Sequence, residues 1–487
     1  MPMISSACQR SNVSVVHHIP TLVTIHYQFK PHFEMKRTYI FNIIILTLLF
    51  SLCSCDDWLE PKSEVDPERN VLLDSPEGVE DAFTGIYASL SHKDLYGRAL
   101  TYYIPSILAG HYGMVGKDIE HWMKYPYDRT SMSYNDLAII DIDRIWSKLY
   151  NLIANTNSII EFVEKKDPQV TDVSLRRAKG EALGLRAFMH FELLRYFGIP
   201  YSIDADAVAI PYMDKLTSVA GQLRSQREVI ELIINDLKEA ERLTADDTES
   251  SRLRFGHTAV LATLARVYLY SGQAYIAHDY AVRAINERPS YISWHNMDAA
   301  DGDRLLESEL IFALNVSRLN EYAAGWILPG GVGRKNTIMV ITQAGEYYYD
   351  DEDDIRKSLW VASIGYDRYC GKFDLSSQQP LMPVIRLSEM AYMAAEGAST
   401  GEEALEYLNM VRIHRGLHPF SSITDIDLKN ELQKEYQREF ICEGQLWHYY
   451  KRNLVTNIPG NSNFRGRLNL FTFPLPEDEL IFGNPSK

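Results

Sequence analysis

Positive charge is in short supply in this chain: 49 lysines and arginines stand against 65 aspartates and glutamates in 487 residues, a net charge of −16 at pH 7. A phosphate backbone is bound through clustered basic groups, so nucleic acid is excluded as a partner. Cysteine is scarce too, with 5 in all, and the spacing offers neither a disulfide framework nor a zinc site. HExxH is absent, and His257, His278, His414, His418 and His448 do not pair with carboxylates at metal-ligand spacing. No Gly/Ser-rich or Pro-rich linker divides the chain, so one large intertwined unit fits its length as well as several domains do. Long apolar runs are missing except for Ile40 to Leu52, which Asp56 and Asp57 end too soon for a transmembrane helix.

That one run is informative. Lys36 and Arg37 precede it, directly after Met35, and small residues follow, which is the layout of an export signal. The residues at the cut, Leu52-Cys53-Ser54-Cys55, resemble a bacterial lipobox and predict lipidation of Cys55. Residues 1–34 have no signal logic of their own, so the expected start is Met35, with 35–54 as the signal peptide and 55–487 as the mature body. Removing residues 1–54 takes away Arg10, Lys30, Lys36, Arg37 and one acid, Glu34, and shifts the net charge from −16 to −19. A multiply acylated cysteine holds a protein to a membrane far more firmly than one acyl chain does. Cys370 and Cys442 are then left, read as an unpaired buried pair with a single bridge as the alternative.

Helical periodicity dominates the body. "PEGVEDAFTGIYASL", entered through Ser75 and Pro76, places Val79, Ala82, Phe83, Ile86 and Leu90 on one face. Ile145, Leu149, Leu152, Ile153, Ile159 and Ile160 repeat the pattern, and so do Ala182, Leu185, Phe188, Met189 and Leu193, each set predicting a helix buried on one side. In "VLATLARVYLYSGQAYIAHDYAVRAINERP" the spacing of Ala265, Tyr268, Ala277, Ala284 and Pro289 matches a tetratricopeptide helix pair, with Ala281 where the repeat usually has an aromatic. "SEMAYMAAEGASTGEEALEYLNMVRIHRG" reads as a second pair joined across Ser399 to Gly401. The predicted fold class is mainly α: a tetratricopeptide-like helical-repeat scaffold, with helix pairs in 55–289 and an insertion plus further helices in 290–487.

Two aromatic-rich stretches, Lys93–Tyr134 and Ser290–Tyr369, break the helical pattern and are read as irregular loop insertions, where binding surfaces tend to be built. Trp122, Trp294 and Trp326 lie there without a helical stripe to claim them, whereas Trp146 and Trp447 fall at core spacing and Trp58 lies beside the anchor. Asp350 to Asp354, and Glu477 with Glu479, offer paired carboxylates of the kind a glycosidase uses, but read as solvated acidic faces. No cofactor is implied, although a structural calcium ion is a candidate for the Asp351–Asp354 run. Gly330, Gly331 and Gly333 lack the preceding strand of a phosphate loop. Arg386, Glu389 and Glu396 read as buried ion pairs.

The order of several blocks is more specific than any one of them. Cys55 with "DDWLEPKSE", then "GEALGLRAFMHFELLRYFGIPY", "HTAVLATLARVYLYSGQAYIAHDYAVRAI", "PVIRLSEMAYMAAEG", "YLNMVRIHRGL" and "FPLPEDELIFGNP" resemble, across the mature chain, the SusD/RagB family. That resemblance implies an outer-membrane lipoprotein of Bacteroidetes, facing the cell exterior, that binds a nutrient, usually a glycan, and passes it to a SusC-like TonB-dependent transporter. It implies no catalytic activity. An aromatic platform of Trp122, Trp294 and Trp326, flanked by Tyr127 and Tyr291, would then stack on sugar rings, with Asp118, Arg129 and Asn336 as hydroxyl partners. "LQKEYQREFICEGQLWHYYKRN" departs from the family's usual ending of that helix and reads as a variant subgroup. A helical-repeat scaffold of an envelope complex, or a surface glycoside hydrolase, are the alternatives.

Overall fold

The computed structural model describes residues 73, 75–113, 120–123, 137–247, 251–297, 302–324, 326–328, 341, 348–364, 367–374, 379–422, 425–459 and 468–483. The leader, the signal segment, Cys55 and Trp58 lie outside them.

Helix α1 (Pro76–Leu90) starts as its sequence predicts: the Ser75 side chain accepts the Gly78 amide at 3.1 Å and Pro76 fills the first turn. Val79, Phe83, Ile86 and Leu90 are buried, and Ala82 is half-buried. A π-helical turn (Ala99–Tyr103) and the short α2 (Ile104–Leu108) and α3 (Glu120–Met123) follow. Helix α4 (Leu137–Lys166) buries the predicted isoleucine and leucine stripe.

Helix α5 (Val173–Phe197) departs from the one-sided expectation. Every residue from Gly180 to Phe197 is buried, because α4 packs on one flank and α6 (Gln226–Thr244) on another. The polar members of α5 are therefore matched inside: Arg186 to Asp236 by two hydrogen bonds of 2.7 Å, and Glu181 to Arg254 at 2.6 Å. Strands β1 (Val208–Pro211) and β2 (Leu223–Ser225) form an antiparallel ribbon before α6. A capping box then starts α6, with Ser225 and Glu228 satisfying each other's backbone amides.

The tetratricopeptide-like pair appears as α7 (His257–Tyr270) and α8 (Ala274–Asn286), turned at Gly272 with φ of +80°. Ala277, Ala281 and Ala284 are buried, so a small residue at 281 lets neighbouring helices approach closely. Beyond it come β3 (Leu310–Asn315), α9 (Leu319–Ala323), α10 (Ile355–Trp360), and the antiparallel β4 (Val361–Ile364) and β5 (Asp367–Cys370). Strand β6 (Leu381–Arg386), buried throughout, pairs antiparallel with β3 and runs straight into α11 (Leu387–Gly397). The second predicted pair is α11 with α12 (Gly401–Ile413), whose cap, Thr400, accepts the Glu403 amide at 3.1 Å. Helix α11 packs on α8 so tightly that a Cβ at Gly397 would stand 2.2 Å from the Ala274 carbonyl oxygen. Helices α13 (Asp425–Glu439), α14 (Gln445–Arg452) and α15 (Glu477–Phe482) complete the chain.

The architecture is mainly α, as predicted. The insertions were expected to be irregular, and here the structure differs: all ten residues of Ala99–Leu108 are helical and buried. Thr101, at φ −123° and ψ −105°, kinks that run and hides its periodicity from the sequence. Cys370 and Cys442 are both free and buried. No helix among the described residues is long and apolar enough to cross a membrane.

Candidate functional site

Of the carboxylates considered as catalytic groups, Asp354 and Asp350 are held by arginines. Asp354 caps α10 and grips the Arg356 guanidinium through both oxygens, and Asp350 accepts from Arg438 at 2.9 Å. Glu477 and Glu479 stand two residues apart on α15, where side chains point away from each other. Among the described residues no group of three or more His, Cys, Asp or Glu side chains is placed to hold a metal ion. Arg386, Glu389 and Glu396 do form ion pairs, each with a different segment: Glu443, Arg266 and Arg452 respectively.

The aromatics divide by exposure. Trp146 and Trp447 are core, as predicted. Trp122 is buried as well, 1% exposed, with its ring 5.6 Å from that of Phe473 and its indole N–H donated to Asp141 at 3.0 Å. A ring covered to that extent presents no face for a ligand, so Trp122 supports the surface rather than forming it. Trp294 is half-buried and stacks on His414 with ring centres 5.0 Å apart. Tyr291, also half-buried, lies under the Arg252 guanidinium at 5.8 Å. Asp118, Tyr127, Arg129 and Asn336 lie outside the described residues, as do Gly330, Gly331 and Gly333.

Trp326 is placed differently. It follows α9 in a turn held by its amide bonding to the Ala323 carbonyl at 3.0 Å, and the next residues, Ile327 and Leu328, are buried and pin the turn. The indole is left half-exposed. Its ring meets Tyr103 edge-on, centres 5.2 Å apart at 78°. The Arg98 guanidinium covers both rings, 5.1 Å from Tyr103 and 5.4 Å from Trp326. Arg98 has no carboxylate partner among the described residues, and its Nε has no hydrogen-bond partner there. Tyr103 continues the patch through a 3.3 Å contact from its hydroxyl to Nε2 of His121, and His121 Nε2 lies 3.9 Å from Asp141. Tyr103 is itself 3% exposed, so it backs the patch, and the surface offered to solvent is the half-buried Trp326 ring with Arg98 beside it and Asp141 beyond His121.

Tyr103 and Arg98 were not singled out in the sequence. The signal that could have found them is "YGRALTYY" itself, in which a glycine and an arginine precede paired tyrosines. The turn reaches its position partly because Gly444, at φ +86°, brings the start of α14 against it; a Cβ there would lie 2.7 Å from the Leu100 carbonyl oxygen.

The fold defines a class: a tetratricopeptide-like helical protein that carries an aromatic and polar patch on its non-repeat segments. Residues 57–269 match a family model described as starch-binding associating with outer membrane, and residues 360–475 match the SusD family model. The chain belongs to the SusD/RagB family. SusD-like protein P2 of Formosa agariphila is 23% identical, over 91% of this chain and 97% of its own. The structure of a putative sugar binding protein from Bacteroides vulgatus is 24% identical, covers 84% of this chain and 97% of its own, and superposes with a TM-score of 0.68. A laminarin binding SusD-like protein, 18% identical, covers 84% of this chain and 98% of its own with a TM-score of 0.56. At such identities the likeness to solved structures speaks for the fold.

Proposed function

We propose that this protein is a non-catalytic receptor for an oligosaccharide or polysaccharide, tethered to the outer membrane through Cys55 and facing the exterior, where it passes its ligand to a SusC-like TonB-dependent transporter. The observation that carries this reading is the half-exposed Trp326 beside Tyr103 and Arg98 on a chain of the SusD/RagB family. A sugar has an apolar C–H face and a rim of hydroxyls, so it needs a flat ring to stack on and fixed polar groups alongside. One ring contact contributes on the order of 1–2 kcal/mol. A few such contacts, after association costs, give dissociation constants of about millimolar to micromolar, suited to a ligand that must be released. Trp294 and Tyr291 form a second aromatic surface. Asp118, Tyr127, Arg129 and Asn336 are the proposed partners from the adjoining segments. Laminarin and starch head the ligands to try, since relatives and family carry those names.

The test is incubation of the purified protein with a polysaccharide panel that includes both. Retention on a polysaccharide whose chain length does not change supports the receptor. Shortening of the polysaccharide would make the protein a hydrolase, and retention on none of them would favour an envelope scaffold.

A further inference from the structure

A second polar site is a pocket, partly open to solvent, between α5, α7, α11, α13 and α14. Its volume is about 30 Å³ and its lining includes Arg195, Arg266, Tyr270, Gln445 and His448. A water-sized occupant needs roughly 10–15 Å³ by the same measure, so the space admits a monatomic ion or a water or two and no sugar.

The lining has hydrogen-bond donors to spare. Arg195 Nε, Arg266 Nη1, the Tyr270 hydroxyl and His448 Nδ1 are all buried without a partner among the described residues. Both arginine atoms can only donate. The acceptors that face them already hold arginines: both Glu389 oxygens bind Arg266, and the Gln445 side-chain oxygen accepts from Arg195 at 3.1 Å. Tyr270 and His448 can each turn a donor toward the space, so an anion there meets up to four donors, two of them on guanidinium groups.

The guanidinium groups around the pocket are each held by a carboxylate. Arg195 pairs with Glu192, Arg266 with Glu389 and Arg452 with Glu396. Lys451, one residue before Arg452, is buried and donates to the Arg195 carbonyl at 2.7 Å and to the Gly198 carbonyl, with no carboxylate partner among the described residues. Burial and then the neighbouring Arg195 hold the Lys451 amine well below its usual range, so three guanidinium groups stand against three carboxylates. Burial, then Arg195, Lys451 and Arg266, hold His448 well below its usual range, so its ring is neutral and donates only in the tautomer that carries the proton on Nδ1.

We infer that this cavity binds a single monatomic anion of chloride size, held by Arg195, Arg266, Tyr270 and His448, and that the ion braces the junction of α5, α7 and α14. An ion bound only by the folded chain raises its stability with concentration.

The experiment follows thermal unfolding of the whole mature chain in sodium chloride and in sodium gluconate at equal ionic strength, and bromide anomalous scattering from crystals grown in sodium bromide. The expected result is a midpoint that climbs with chloride but not with gluconate, and a bromide peak in the cavity. Tyr270→Phe removes one donor and keeps the ring, and should move the chloride dependence to about tenfold higher concentration, the size expected for one hydrogen bond to a charged group. Equal midpoints in the two salts with no bromide peak would overturn the proposal and assign the space to water. An equal chloride dependence in the wild type and Tyr270→Phe would overturn it too, by placing the ion elsewhere.

Discussion

Arg415 and Glu439 are joined by two hydrogen bonds, Nε to Oε2 at 3.0 Å and Nη2 to Oε1 at 2.6 Å, with neither side chain exposed to solvent. Arg415 also binds Glu309 at 2.6 Å, and Glu439 also binds Arg356 at 3.1 Å, so α12, α13, α10 and the start of β3 share one buried network. Removing one partner of such a pair leaves the other charge without compensation, at a cost of about 3–5 kcal/mol. Glu439→Gln should lower the stability by that order, measured as a shift in the urea midpoint. A shift under about 1 kcal/mol would mean that the pair is solvated.

The same network sets a pH dependence. Burial alone would raise the carboxyl of Glu435, but Arg356 and Arg438 around it outweigh burial and hold it down at about 2. A carboxyl depressed in the folded state contributes stability that is complete above its ordinary value near 4.5 and is lost as the pH falls from there toward 2. Wild-type protein should therefore lose stability across that window, and Glu435→Gln, less stable at neutral pH, should lose less. Parallel curves for the two proteins between pH 5 and pH 3, an interval of about two units, would contradict this.

For the binding patch, Trp326→Ala should weaken polysaccharide retention about 5-fold to 30-fold, the equivalent of 1–2 kcal/mol, with little change in melting temperature because the ring is half-exposed. Trp146→Ala is the contrasting change: its ring packs 4.7 Å from Phe197 in the core, and it should cost about 3–5 kcal/mol of stability. Trp294→Ala should weaken retention less than Trp326→Ala does. The order of the three variants in affinity and in melting temperature is the check.

Cys55→Ala tests the anchor. The variant should leave the outer-membrane fraction, and wild-type protein should bring down a barrel transporter after gentle detergent extraction. Unchanged fractionation of the variant, or wild-type protein recovered repeatedly alone, would refute the tether and the transporter respectively.

How far the sequence can be read depends on whether a residue's environment is local. α1, α4 and the two helix pairs are legible because Phe83, Ile153 or Ala277 recur at a spacing that only one face of a helix satisfies. The full burial of α5 is not, since it comes from α4 and α6 closing on it from two sides. The binding patch is half-legible. Trp326 stands out as a tryptophan without a stripe, but its partner Tyr103 sits in a kinked, buried helical run that resembles a loop on paper, and Arg98 directly precedes that run. Trp122 looks equally free in sequence, and what buries it is Phe473, about 350 positions downstream.

The long reach of the buried ion pairs bears on how the chain folds. Arg266 finds Glu389 across 123 positions, Arg415 finds Glu309 across 106 and Arg356 finds Glu435 across 79. Until α13 is available, Arg356 faces Asp354 alone and Arg415 faces Glu309 alone, and closing loops of that length is slow. The carboxy-terminal part of the core therefore stays incomplete until α13 has been made. A charge network assembled from such distant positions acts as a timing device for the closure of that part of the core.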